Sequence, residues 1–387
     1  MRIAFYAPMK PPDDPRPSGD RTVARGLIQA LRLAGHEVTL VSRFRSWDKG
    51  DQRRQQRLEA MGIRLAERLV RHAAGGDRPP FDLWLTYHLY HKAPDWLGPR
   101  VTAAWDIPYV VAEASVAGKQ RGGRWRRGYD AAIAALEVAD LVLGLNPADR
   151  PGVAPWLRPG ARYQELAPFL DARPFADAPA QRDAARVWLA GRLSLPLDRP
   201  WLLTVGMMRA DQKLLSYQTL AAALARVEAP FRLIVVGDGP AEAAVRTAFA
   251  PIAETVSWFG AAAPVEMPQL YAAADLYVWP AIKEAFGMAF LEAQAAGLPV
   301  VAGASGGVAN VVAEGLTGRL VPEGDVAALA NAISRLIDDS NLRRTMGAAA
   351  RRRTCERHDL PVAAADLDRA LHAAAESRRQ KNLRKAV

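Results

Sequence analysis

Short apolar runs alternate along this chain with longer stretches in which apolar positions return every three or four residues. Ile3 to Ala7 is one such run, and Val23, Leu27, Ala30, Leu31 and Ala34 follow at helical spacing, so a strand and then a helix are expected. Gly35 stops that helix, and His36 to Ser42, carrying the β-prone Val38, Leu40 and Val41, begins a second strand. Further strands are expected at Phe81 to Thr86, Pro108 to Ala112 and Leu141 to Leu145. The rhythm lapses between Pro168 and Pro200, a Pro- and Asp-punctuated stretch with one short helical segment around Arg186 to Leu193. It then restarts, with strands at Trp201 to Val205, Leu233 to Val236, Val256 to Phe259, Leu276 to Trp279, Val300 to Val301 and Leu320 to Val321, and helices around Leu220, Val245, Leu270, Leu291 and Ala328. Strands alternating with helices predict an α/β chain of two Rossmann-like units, each a parallel sheet covered on both faces, facing a central cleft. The expected division is 1–168 for the first unit, 169–200 for a linker and 201–358 for the second.

Composition changes this picture little. The 387 residues are 50% hydrophobic and 24% charged, which excludes a disordered, collagenous or disulfide-stapled chain. The single cysteine, Cys355, cannot close an intramolecular disulfide, so a reducing compartment is permitted. The run after Met1 is too short for a signal-peptide core. The uncharged stretch from Ala293 to Ala313 is broken by four glycines, Pro299, Gln294 and Asn310, so the chain is read as soluble and cytoplasmic. The net charge of +10 is uneven: residues 1–168 hold 26 basic and 18 acidic side chains, and the remainder 25 and 23. A positive face in the first half attracts phosphate, anionic lipid or nucleic acid, or is simply a solvated Arg-rich surface.

The most informative segment runs from Pro280 to Ala293, PAIKEAFGMAFLEA, at the end of a strand and the start of a helix. Gly287 lets a ligand approach the main chain, and the unpaired N–H groups of the helix's first turn suit an anion such as phosphate. Glu284 precedes the helix and Glu292 lies about two turns on, too far to share one substrate atom. Together they would hold hydroxyls at opposite ends of an extended, diphosphate-linked ligand; an amphipathic helix with a capping carboxylate is the bland alternative.

The run continues through Gly297-Leu298-Pro299-Val300-Val301, Gly306-Gly307 and Glu314-Gly315-Leu316-Thr317-Gly318. Val236-Gly237-Asp238-Gly239-Pro240, Phe259-Gly260 and Tyr271 to Leu276 precede it in order. With the glycine loop at Gly19 and the segment Gly35-His36-Glu37-Val38, this resembles the retaining glycosyltransferases of family 4, with the GT-B fold and two glutamates separated by seven residues. The resemblance implies sugar transfer from a nucleotide donor to a glycan or lipid-linked acceptor, with retention at the anomeric carbon and the leaving phosphate as the usual candidate base. It places Glu284 on the donor sugar, the amides of Phe286, Gly287 and Met288 on the phosphates, and Glu292 on the ribose. Gly19, Gly206, Gly237 and Phe259 would line the same donor site. It also implies a helix over 359–377 packing back across both domains, ahead of a basic tail at 378–387.

Two cations normally assist at the pyrophosphate, where fixed positive charge stabilises the departing nucleoside diphosphate. Here Met207 and Met208 follow Gly206, a departure from the family pattern, and Arg209 and Lys213 are the candidates. A second departure lies after Pro108 to Ala112, where the family commonly carries a His and this chain has Glu113. Glu113 would orient a hydroxyl rather than supply a cation. His88 and His91 are alternatives, with packing the favoured account of both. Lys119, Arg121, Arg124, Arg126 and Arg127, among glycines and Trp125, are expected to form a flexible loop that grips an acceptor phosphate or an anionic membrane, with a solvated loop as the alternative. The region Arg53 to Arg71 would add a basic helix. No metal or resident cofactor is expected: Asp366-Leu367-Asp368 reads as a solvated helix face.

Three rivals remain in view. A nicotinamide enzyme is disfavoured because Glu242 stands where the dinucleotide fingerprint after Gly237 and Gly239 needs a third glycine. A nucleotide-sugar epimerase of the same architecture is the nearer alternative. A non-catalytic nucleic-acid-binding protein rests on charge alone, and no nucleic-acid partner is expected.

Overall fold

The computed structural model describes residues 1–16, 18–73 and 79–386. The chain divides into two compact units, one formed by Met1–Ala167 with Leu360–Val387 and the other by Pro168–Asp359.

The first unit runs β1 (Arg2–Tyr6), α1 (Gly19–Leu33), β2 (Glu37–Ser42), α2 (Gln52–Ala73), β3 (Leu83–Tyr90), α3 (Gly98–Trp105), β4 (Tyr109–Ser115), α4 (Arg126–Val138), β5 (Leu141–Gly144), α5 (Arg150–Val153) and β6 (Arg162–Glu165). Among the described residues its strands form one six-stranded parallel sheet, ordered β2-β1-β3-β4-β5-β6. Ile3, Phe5, Leu83, Leu85, Val110 and Val142 are fully buried. Continuous apolar strands of this kind are what a sheet covered on both faces requires, each buried side chain contributing roughly 1.5–3 kcal/mol.

The second unit follows the same grammar: α6 (Ala178–Leu193), β7 (Trp201–Val205), α7 (Gln212–Leu224), β8 (Arg232–Val236), α8 (Glu242–Ala248), β9 (Val256–Gly260), α9 (Met267–Ala273), β10 (Leu276–Trp279), α10 (Met288–Ala295), β11 (Val300–Gly303), α11 (Val308–Val311), β12 (Gly318–Val321), α12 (Val326–Asp338) and α13 (Ser340–Arg357). Its parallel sheet is ordered β12-β11-β10-β7-β8-β9. The chain then returns to the first unit as α14 (Leu360–Ala386), which packs on α1.

Both sheets reverse direction once. In the first, the chain steps outward from β1 to β2 and then returns to place β3 on the other side of β1; in the second, it steps from β7 through β8 to β9 and returns to place β10 beside β7. Crevices for ligands open at such reversals, beyond the carboxyl ends of the strands.

Several expectations change. The stretch 169–200, expected as a linker, carries the sixteen-residue α6, and belongs to the second unit. Arg182 and Arg186 of that helix reach Asp275 at 2.5 and 2.9 Å, and Asp275 in turn accepts from the Trp201 amide at 2.8 Å. The helix expected over 359–377 and the tail expected from 378 are one element, since α14 continues to Ala386; Val387 and the side chains of 382 and 384–386 lie outside the described residues. Arg378, counted as tail, donates to Asp106 at 2.8 Å. Strand β6 has no periodic signature in the sequence because Arg162-Tyr163-Gln164-Glu165 is a half-exposed edge strand without an apolar pattern. Strand β3 runs on to Tyr90, four residues past its expected end, and takes His88 with it.

Candidate active site

In the second unit, the loops after β7 and β10 meet at the point of reversal. The loop after β10 is held in an unusual shape: Ala281, Lys283 and Gly287 have φ of 58°, 50° and 74°, a region that side chains other than glycine enter at a cost of about 1–3 kcal/mol. Its backbone is pinned from two sides, the Ile282 amide donating to Ser216 Oγ at 3.1 Å and the Lys283 amide to Glu323 Oε1 at 3.1 Å. At Gly287 a Cβ would stand 2.6 Å from the Phe290 ring, so the space as well as the backbone demands glycine. No side chain caps the helix α10 that starts there, which leaves its first amides pointing outward, the local field favouring negative charge.

This loop carries Glu284 to Lys213 on the first turn of α7: Lys213 Nζ donates to Glu284 Oε2 at 2.6 Å. The Trp279 indole N–H donates to the same oxygen at 3.3 Å, and its ring lies under the ammonium, 5.2 Å from Nζ. Trp279 is itself set by Tyr217, edge-on at 4.9 Å, whose hydroxyl donates to the Gly206 carbonyl at 2.7 Å. Arg209 stands at the head of the same segment, 3.3 Å from Asp211, the residue that caps α7. Glu284, Lys213, Arg209, Gly287 and Met288 are therefore drawn to one end of the sheet by the loops after β7 and β10.

Glu292 lies deeper, on α10, where the Tyr271 hydroxyl donates to its Oε2 at 2.8 Å. Burial raises its pKa, and the Tyr271 hydrogen bond only partly opposes that. Gly206 and Gly237 pack on each other, a Cβ at Gly237 falling 2.0 Å from the Gly206 carbonyl oxygen, so close backbone crossing accounts for both. Phe286 is buried. Phe259 departs from the expected group: its ring faces α6, with the Arg192 guanidinium 4.3 Å away and Trp188 at 6.1 Å. A cavity of about 500 Å³ in this unit lies at the opposite end of the sheet, where Asp275 and Pro299 precede β10 and β11.

The first unit holds a second polar cluster at its own reversal. Gly19 opens α1 behind the Ser18 cap, and Asp20 in that first turn lies 2.9 Å from His88 Nδ1 on β3. The β3–β4 register pairs Tyr87 with Ala112 and Leu89 with Ala114, which sets His88 beside Glu113. Both residues bend the strands at that level, with φ of 62° at His88 and 60° at Glu113. Two strained non-glycine residues abreast in neighbouring strands are costly unless something over-determines them. Burial alone would lower the His88 pKa, yet the charge of Glu113 and the hydrogen bond and charge of Asp20 outweigh it and raise it to about 9. Burial pushes Glu113 up against the opposing charge of His88, and its Oε2 is a buried atom without a hydrogen-bond partner. Asp149 is raised too, again chiefly by burial.

The expectation that His88 is a packing residue is thus corrected: it pairs with Asp20 and stands beside Glu113 in a polar cluster. The signal in the sequence was the acid at 113 in the place of a His, which asks where the imidazole has gone. His91 is half-buried beside Trp125, its ring centroid 5.5 Å from the indole, and burial followed by the charges of Lys92 and Lys119 lowers its pKa to about 4.

The basic segment is ordered rather than a free loop. Trp125 is buried and donates to the Asp48 carbonyl at 3.3 Å, with Arg124 stacked 4.0 Å from its ring. Arg126 and Arg127 begin α4, and Arg127 pairs with Glu59 at 2.9 Å while Arg126 faces Asp130 at 3.7 Å. Lys119 and Arg121 are exposed. The basic helix expected at Arg53 to Arg71 is α2. Among the described residues no helix is long and apolar enough to cross a membrane.

Residues 191–353 match the family model described as glycosyl transferases group 1. The chain is 32% identical over 210 residues to a D-inositol 3-phosphate glycosyltransferase of Salinispora arenicola, covering 50% of this chain and 46% of that protein. It is 29% identical over 276 residues to a GDP-mannose-dependent alpha-(1-6)-phosphatidylinositol monomannoside mannosyltransferase of Mycobacterium tuberculosis, covering 66% and 69%. The chain spans about half the length of the first of these relatives. In fold it is similar to HepE from Anabaena in complex with UDP, with a TM-score of 0.73 at 20% identity, covering 96% of this chain and all of that one. The two parallel six-stranded sheets are those of the GT-B architecture.

Proposed function

We propose, from the match of residues 191–353 to the model of group 1 glycosyl transferases, that this chain moves a sugar from a nucleoside diphosphate donor to a glycan or lipid-linked acceptor, with retention at the anomeric carbon. The observation that carries this reading is the Lys213–Glu284 pair at 2.6 Å beside the uncapped start of α10. A lysine and outward amides suit a diphosphate, and a carboxylate beside them suits sugar hydroxyls.

As the glycosidic bond breaks, negative charge grows on the leaving diphosphate. Lys213, Arg209 and the amides of Phe286, Gly287 and Met288 stabilise that charge, a contribution of about 10²–10³ in rate for a single well-placed donor. Glu284 orients the donor sugar, and Glu292 receives the ribose. Gly206 and Gly237 shape the floor of that site. Phe259 packs on α6 and is left out of this account, while Gly19, which opens α1 in the first unit, keeps the role in donor binding that the resemblance implies. In the first unit, Glu113 and Asp20 orient an acceptor or sugar hydroxyl around protonated His88. The reacting centre is oxocarbenium-like, as in glycoside hydrolysis.

Lys119, Arg121 and Arg126 offer an exposed basic surface for acceptor phosphate or anionic lipid at the inner face of a membrane. Arg124 and Arg127, engaged with Trp125 and Glu59, contribute less to it. The transfer needs no metal from these residues. Incubation with labelled nucleotide sugars and a lipid extract tests the proposal: label on lipid or glycan supports transfer, whereas an epimer formed without acceptor supports the epimerase reading. Thermal shifts with UDP, GDP and ADP identify the base, and equal responses to all three would count against a donor site here.

A further inference from the structure

Away from both clusters, α14 brings Asp368 and His372 against the corner between α1 and β2, where His36 sits. Asp368 Oδ1 lies 3.2 Å from His36 Nε2 and 3.0 Å from His372 Nδ1. All three atoms fall within 4.8 Å of one another. The His36 side chain is only 2% exposed, and its buried Nε2 has no hydrogen-bond partner, so the short approach to Asp368 is not a hydrogen bond in direction. The other ring nitrogen faces the Met1 nitrogen at 3.2 Å, which leaves Nε2 as the atom turned toward the cluster. On the open side, Asp368 and His372 are 40% and 60% exposed, enough for water to reach a fourth position.

We infer that His36, Asp368 and His372 form a binding site for a divalent transition-metal ion of the zinc type, which fastens α14 to the first unit. Two imidazoles and a carboxylate are the donor set such an ion prefers, and bonds of about 2.0–2.1 Å in a tetrahedron put neighbouring donor atoms roughly 3.3 Å apart. Two of the three separations here are already close to that value. The i, i+4 spacing of Asp368 and His372 sets both on one face of the helix. His372 Nδ1 also faces the Asp368 carbonyl at 3.0 Å, a contact that the exposed ring gives up by a rotation about its own side chain.

The position in the chain supplies a purpose. Helix α14 rejoins its unit only after the entire second unit has intervened, so its docking closes a very long loop. An ion that binds the docked helix and not the undocked one offsets part of that entropy and holds the two ends of the first unit together. Asp366, two residues earlier, turns to Arg369 instead. The site stands apart from the proposed transfer chemistry and does not depend on it.

The test uses the full chain with any affinity tag removed, stripped by chelator, equilibrated with Zn²⁺ and separated from free metal before its zinc content is measured. One zinc per chain is expected, falling to near zero in His372→Ala and in Asp368→Asn. His372 is exposed and Asp368 half-buried, so both substitutions are milder than His36→Ala, which risks misfolding. Zinc should raise the Tm of the parent chain by about 3 °C or more and leave both variants unmoved. Co²⁺ in place of Zn²⁺ should give the visible absorption of a four-coordinate ion. Absence of bound zinc in the parent chain, or equal zinc in parent and variants, overturns the site.

Discussion

The two sheet reversals are alike in topology and opposite in charge. In the first unit one histidine is surrounded by the half-buried Asp20, Glu113 and Asp149. In the second, Lys213 meets Glu284 just before a helix start that no side chain caps, and Arg209 stands at the head of the lysine's own segment. A diphosphate would meet carboxylates at the first and cations with outward amides at the second. A hydroxyl that must be oriented or relieved of a proton fits the first, where burial has raised two carboxyls toward neutral pH. Identical chain grammar thus yields two crevices, and it is side-chain charge that distinguishes them, which is why the proposed function gives the donor to one and the acceptor to the other.

The sharpest way to break this comparison is Lys213→Ala. Loss of the cation should lower kcat by about 10²–10³, read in a steady-state assay with donor in excess; full turnover would place the leaving group elsewhere. Next in size is His88→Asn, for which a fall in kcat of roughly 10² is expected, with nucleoside diphosphate affinity unchanged. The same histidine gives a pH signature. Its pKa is raised to about 9 in the folded chain, against about 6.5 unfolded. The stability it contributes is therefore complete below about pH 6.5 and is lost as pH rises through 9. Tm should fall over that window in the parent chain and more shallowly in Asp20→Asn.

A smaller effect is expected from Glu292→Gln, which keeps the shape beside Tyr271 and removes the charge. Nucleoside diphosphate affinity by calorimetry should weaken about tenfold, the scale of one hydrogen bond to a charged group. Unchanged affinity would falsify the ribose assignment. Smallest is Lys119→Ala, which should weaken binding to anionic vesicles by about fivefold, roughly 1 kcal/mol per surface cation. Arg124→Ala should do less for the membrane, because that guanidinium already stacks on Trp125.

Much of the fold could be read from periodicity, and the reason is burial. Strands β1, β7 and β10 lie inside their sheets and must be apolar nearly throughout, so Ile3 to Ala7, Trp201 to Val205 and Leu276 to Trp279 announce themselves. Strand β6 lies at an edge, needs no such run and stayed silent. Helix α6 was half seen: its apolar face is thin, and Arg182 and Arg186 hold it through Asp275, a polar anchorage that hydrophobic spacing does not record.

The candidate site divides the same way. Glu284, Gly287 and Glu292 sit in one local motif, where a tight turn, a helix start and an acid must follow each other at fixed spacing. The sequence by itself therefore determined the glycine-bearing loop from Pro280 to Gly287 and the alternation of strand and helix, because both are consequences of local geometry. Only the tertiary structure decided that Lys213 meets Glu284, that Asp20 and Glu113 close on His88, and that His36 faces Asp368 and His372. Those partners are tens to hundreds of residues apart, and no spacing rule links them. What joins them is the order in which parallel strands are laid down and the return of α14 to the sheet where the chain began.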